Sequence, residues 1–202
     1  MLKFLSFFFS YNLFLKFIYL FNSLLSISLS KKLKEVNGIA RFQFPVKAIG
    51  LDKIIIGKNF DSGKNLRIQA ISRYQKYSYE PEIIIGENVT INPNCQLVAI
   101  NKIVIGNNVL IASNVFISDH SHGWVDFRDI NTSPSLRKLD SKGPIIIEDN
   151  VWIGQNVTIL ANVKIGKNSI VGANSVVTKS IPDFSIAVGT PARVIRSVNF
   201  QD

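Results

Sequence analysis

One cysteine, one methionine, two tryptophans and two histidines are all that the 202 residues offer of those types. A lone Cys95 excludes an internal disulfide and suits a reducing compartment. Neither a CxxC nor an HExxH run is present, and two histidines alone make no metal site, so no metal is expected. Acidic residues are also scarce: 14 Asp and Glu stand against 23 Lys and Arg, a net charge of +9. No nucleic-acid motif accompanies that charge, which argues against a nucleic-acid partner. A solvated surface, a phosphate-bearing cofactor, a polyanionic ligand or anionic lipid would each account for it.

A long uninterrupted apolar run is missing too. The first thirty residues, MLKFLSFFFSYNLFLKFIYLFNSLLSISLS, are rich in Phe and Leu, yet Lys16 divides them. No stretch reaches the ~18 residues expected of a spanning helix. No small-residue cleavage motif follows, which speaks against a signal peptide. Lys31, Lys32 and Lys34 form a basic flank suited to anionic headgroups. Residues 1–37 therefore read as an apolar helical arm with three possible placements: in the membrane interface, packed on the rest of the chain or a neighbouring subunit, or across a bilayer. Peripheral membrane contact through residues 1–34 fits the divided run best and would put the protein in the cytoplasm, at the inner face of the membrane.

What is abundant is a six-residue period. From Ile147 to Thr178 the chain reads IEDNVW IGQNVT ILANVK IGKNSI VGANSV VT. An aliphatic residue opens each unit: Ile147, Ile153, Ile159, Ile165, Val171 and Val177. Asn holds the fourth place at 150, 156, 162, 168 and 174, and Val or Ser the fifth. Six matches neither the helical period nor a sustained strand alternation, but it does match a short strand and a turn repeated around a solenoid. The aliphatics should stack inside, and Asn should turn the corners, because it tolerates positive φ better than most residues. Cys95, at the small fifth place of INPNCQ, reads as core.

The period begins near Ile54. It lapses over 72–81, slips by two residues across 97–103, and breaks completely over Gly123–Lys142. A polar segment of about twenty residues without regular structure is commonly functional. Residues 38–202 thus read as one solenoid domain, with a projecting loop at 123–142 and a Pro-containing cap at 179–202.

Both histidines fall in one unit, ISDHSH, just before that loop. Imidazole is the side chain best suited to act as a base near neutral pH. His120 takes the corner place held elsewhere by Asn, so a corner role would explain it. His122 sits in the sixth place, where no corner role applies. Asp119 could orient either ring by accepting its other N–H.

Three stretches carry a family resemblance: IGNNVLIASNVFISDHSH, PIIIEDNVWIGQNVTILANVKIGKNSIVGANSVVTKSIP and VGTPARVIR. Over about 83–196 the chain resembles the left-handed parallel β-helix acyltransferases, in the branch of galactoside, maltose and polysaccharide O-acetyltransferases. The resemblance implies an all-β left-handed solenoid and a homotrimer with active sites between subunits. It also implies transfer from acetyl-CoA to a carbohydrate hydroxyl without an acyl-enzyme. The family's base falls on His122, with His120 as the alternative, and its acceptor-contacting Asn falls on Asn92. Gly123 follows His122 where the sugar acetyltransferases commonly have Pro, and DHSHG looks more like the polysaccharide-modifying branch.

For the cofactor, the resemblance implies Trp152 in the wall of the site and the Gln155 amide as donor to the thioester oxygen. It further implies the Ala173 backbone against pantetheine, and Thr178, Lys179 and Arg193 near the adenine and phosphates. Alternatives are N-acetylation of an amino sugar, acetylation of a xenobiotic alcohol, and a catalytically silent solenoid serving as a scaffold.

Overall fold

The computed structural model describes residues 10–123 and 130–198. Its chain winds into a three-sided prism of parallel sheets. The first sheet stacks Glu35–Val36, Ile54–Ile56, Glu82–Ile85, Lys102–Ile105, Ile145–Ile147 and Val163–Ile165. The second runs from Ala40–Phe42 to Val171 and ends in the hairpin Ser185–Gly189 and Ala192–Ser197. The third stacks Val46–Ile49, Leu66–Ala70, Gln96–Ala99, Phe116–Ser118, Thr158–Ile159 and Val176–Val177. Coiling thus starts at Glu35, before the Ile54 that the hexapeptide period marks. The early coils use Ala40, Phe42 and Phe60 inside in place of the repeated Ile and Val.

First-place aliphatics fill the axis: Ile147, Ile153, Ile159, Ile165, Val171 and Val177 are all fully buried. Each such side chain contributes about 1.5–3 kcal/mol when removed from water. The fifth-place residues are buried as well, and two serines among them tie down the cap. Ser169 Oγ donates to the Pro182 carbonyl at 2.8 Å, and Ser175 Oγ accepts the Gly189 N–H at 3.0 Å. Cys95 is core, and burial raises the pKa of its thiol.

Corner asparagines adopt the expected left-handed backbone, from Asn59 at φ 56° to Asn174 at φ 59°. Their side chains form ladders parallel to the axis. At the edge between the first and second sheets, Asn59 donates to Asn88, Asn88 to Asn108 and Asn108 to Asn150, at 2.9–3.2 Å. At the edge between the second and third sheets, Asn65 donates to Asn94, Asn114 to Asn156 and Asn156 to Asn174.

The arm is a helix over Tyr11–Ser30. It packs beside Ala40–Phe42, the open edge of the second sheet. Ser26 Oγ both accepts the Phe42 N–H at 2.9 Å and donates to the Phe42 carbonyl at 3.2 Å, as another strand would. Asn22 accepts the Phe44 N–H. The inward side is mixed, with Asn22 and Ser26 beside the partly buried Leu25 and Leu29, while Phe14, Phe17, Leu20, Phe21 and Leu24 are exposed.

Candidate active site

The remaining edge, where the third sheet passes into the first, is built differently. Among the described residues only Asn162 turns it with a left-handed Asn, and Gly50 does so in the first coil at φ 66°. Every interruption of the six-residue period falls on this edge. Residues 72–81, expected as a plain loop, form a small hairpin that pairs Arg73–Tyr74 with Tyr77–Ser78. The slip at 97–103 is a corner widened by two residues. The segment 123–142 leaves the same edge one coil later. Of that segment, 130–142 are described, whereas 124–129 lie outside the described residues.

Asp119 holds the widened corner together. Its fully buried carboxylate accepts the Ile100 N–H at 3.0 Å, the Asn101 N–H at 2.8 Å and the His120 Nδ1–H at 2.9 Å. The two extra residues leave backbone donors that no ladder neighbour satisfies, and Asp119 supplies the acceptor. His120 is thereby fixed, its side chain 8% exposed, with Nε2 left as the acceptor. The corner explanation for His120 fails: it is not among the residues with positive φ, because the chain departs from the regular turn to carry the loop.

His120 lines a cavity of about 330 Å³ with Ser118, Asp140, Lys142, Leu160 and Thr178. Lys179 follows Thr178 on this edge and is exposed. His122 lies beyond, on the surface. Its ring meets Tyr74 edge-on, with centroids 5.5 Å apart, and its Nδ1 is 3.5 Å from the Tyr74 hydroxyl.

The other expected residues lie elsewhere. Asn92, Gln155 and Ala173 line the edge between the second and third sheets, with the coil of Ala112 between Asn92 and Gln155, and Ala173 one coil above Gln155. The Gln155 carbonyl accepts the Asn174 N–H, while the N–H groups of Gln155 and Ala173 have no acceptor among the described residues. Trp152, half exposed, stands on the outer face of the second sheet between Leu110 and Ile170. Arg193 is in the cap hairpin, exposed. A strand of the third sheet with its corners separates Asn92 from the histidine edge, roughly 15–20 Å of extended chain. Within one chain the expected residues are therefore spread over two edges of the prism, plus the outer face of the second sheet and the cap hairpin. No three His, Cys, Asp or Glu side chains among the described residues are grouped to hold a metal.

Residues 144–179 match the family model "Bacterial transferase hexapeptide (six repeats)". A putative lipopolysaccharide biosynthesis O-acetyl transferase, WbbJ, of Escherichia coli (strain K12) is 37% identical over 163 residues, 79% of each chain. The chain belongs to the hexapeptide-repeat acetyltransferases.

As an acyltransferase of this family it is folded as a left-handed parallel β-helix. The galactoside O-acetyltransferase of E. coli (strain K12) is 42% identical over 131 residues, covering 62% of this chain and 59% of that one. A solved galactoside acetyltransferase in complex with coenzyme A superposes with a TM-score of 0.52 at 34% identity, covering 85% of this chain and 68% of that one.

Three residues of this edge were not singled out by sequence. Tyr74 and Tyr79 lie in a stretch without period, and Leu139 lies in the loop. The common signal was positional: each break in the period follows a strand of the third sheet, so all the breaks had to meet on one edge.

Proposed function

We propose that this acetyltransferase moves the acetyl group of acetyl-CoA to a hydroxyl of a carbohydrate, a unit or precursor of a surface polysaccharide. The observation that carries the proposal is the division into half-sites. One edge offers imidazole and a cavity, and the other offers unsatisfied backbone donors and an Asn. The same two edges are complementary when one copy sets its histidine edge against the Asn92–Gln155–Ala173 edge of the next. A homotrimer closes three such grooves by rotation. The apolar strip of Leu110 and Trp152 on the second sheet, 41% and 50% exposed, suits burial in that assembly.

In the groove, His122 takes the proton of the acceptor hydroxyl as its oxygen attacks the thioester carbonyl. The oxyanion of the tetrahedral intermediate is met by the Gln155 N–H. The C–S bond then breaks, and the thiolate recovers the proton from His122. Backbone donors at Ala173 suit the amide-bearing pantetheine, and Thr178, Lys179 and Arg193 suit the phosphates. A second reading makes His120 the base. The buried Asp119 that fixes its ring and the cavity beside it favour that reading.

Acetyl-CoA turnover with a panel of sugars, followed by free thiol, tests the reaction. Release that depends on a sugar hydroxyl supports it. Release only with amino sugars moves the reading to N-acetylation, and binding without turnover moves it to a silent scaffold.

The exposed apolar face of the helix supports a membrane partner at the cytoplasmic face. Flotation with anionic vesicles should be lost when Phe17 and Leu20 become Glu. Failure of the unmodified protein to float would refute membrane contact, and flotation unchanged in the variant would show that this helix face does not make it.

A further inference from the structure

We infer that the hairpin over 73–78 is a positioning strap for the active site, with Tyr74 setting the tautomer of His122 and fixing the loop beside it. The inference rests on the reading of His122 as the base. A hexapeptide coil needs a tight turn between the third sheet and the first, and here the chain spends ten residues, Ser72–Pro81, on that turn. Those residues turn toward the loop that leaves the same edge two coils later. Three polar side chains of this segment reach that loop.

Tyr74 donates its hydroxyl proton to the Ser135 carbonyl at 2.6 Å, and Gln75 Nε2 donates to the same oxygen at 3.2 Å. Tyr79 accepts the Leu139 N–H at 2.9 Å and donates to the Leu139 carbonyl at 3.2 Å. Leu139 is 2% exposed, so its backbone groups depend on that hydroxyl. Lys138 also lies 5.8 Å from the Tyr77 ring.

Chemistry decides what this does to His122. A phenol has one proton, and that of Tyr74 is given to Ser135. Toward His122 the Tyr74 oxygen is therefore an acceptor, and the contact is satisfied when Nδ1 carries the hydrogen. Nε2 is then the basic nitrogen, free to take the acceptor's proton. The edge-on ring contact, with planes at 77°, holds the imidazole against rotation. The strap does for exposed His122 what Asp119 does for buried His120, through a neutral group instead of a carboxylate.

The chain has only two histidines, which makes the test clean. Nitrogen-15 spectra of the full-length, histidine-labelled protein, assigned with His122→Ala, report which nitrogen is protonated in each neutral ring. In the unmodified protein His122 should be the Nδ1–H tautomer. In Tyr74→Phe, which keeps the ring but lacks the hydroxyl, it should shift toward Nε2–H while His120 stays put. Turnover should follow, with kcat falling about threefold in Tyr74→Phe and about tenfold or more in Tyr74→Ala. The KM for acetyl-CoA should be unchanged in both. Identical His122 tautomers in the unmodified protein and Tyr74→Phe would overturn the strap. So would parental kcat in both Tyr74 variants while His122→Ala is inactive, an outcome that leaves the base reading standing. Parental turnover in His122→Ala would remove the base reading itself, and the strap with it.

Discussion

Two imidazoles two residues apart experience different chemistry. His120 is pinned by a carboxylate that also caps the backbone of the coil beneath, so its removal is felt first in stability. His120→Ala leaves Asp119 buried with two donors in place of three, a cost of about 1–3 kcal/mol. That loss should appear as a lower melting temperature. Among the described residues His122 is held by Tyr74, on the surface, and its removal should leave the fold intact. Turnover should drop by about two to four orders of magnitude in His122→Ala, the usual share of a positioned general base. Kinetics and melting curves of the two variants side by side check the assignment. A larger kinetic loss in His120→Ala, with its stability kept, would transfer the role to His120. The two-residue slip at 97–103 was visible in the sequence. That Asp119 would fill the gap it leaves was not, since the partners are eighteen and nineteen residues apart in the chain.

Corners carry the next level of information. The fourth-place Asn was legible because left-handed backbone restricts residue choice locally, without reference to any partner. The hydrogen-bonded Asn ladders follow once the coils stack in register. Asn108 tests both parts, since it turns a corner at φ 56° and bonds Asn88 and Asn150. Asn108→Gly and Asn108→Ala lose the same ladder bonds, but only Ala meets the steric penalty of that backbone. Chemical denaturation should show Ala less stable than Gly by about 1–2 kcal/mol. Equal stability would mean that the corner relaxes and φ there is not enforced. The hairpin over 73–78 was illegible for the opposite reason. Its strands are two residues long and its contacts are to a loop sixty residues away, so no local pattern encodes it.

Across the whole prism, stability rests mainly on contacts between stacked coils, and long side chains tie coils that are not adjacent. On the first sheet, Glu82 joins three coils, bonding Lys34 below and Lys102 above at 2.9 Å each. The Lys102 hydrogen bond first, and then that of Lys34, hold the Glu82 carboxyl below the usual carboxylate range. A lowered folded value stabilises above the unfolded carboxylate's titration, and the effect fades as pH falls through the folded one. Glu82 is 28% exposed, so solvent limits the contribution to about 0.5 kcal/mol or less. Glu82→Gln should melt slightly lower than the unmodified protein at neutral pH and together with it in acid. A gap that widens in acid would contradict the sign.

At the same scale lies the question of whether the half-sites of two chains make one catalytic centre. Asn92→Ala damages only the acceptor edge and His122→Ala only the base edge. Each variant alone should have little turnover. Unfolded together in equal amounts and refolded, the two should form mixed assemblies. One groove in four would then pair an intact imidazole with an intact amide, restoring about a quarter of the parental rate. If the mixture stays as inactive as its components although the chains demonstrably co-assemble, each site is built within one chain, and the account of a groove between copies is wrong.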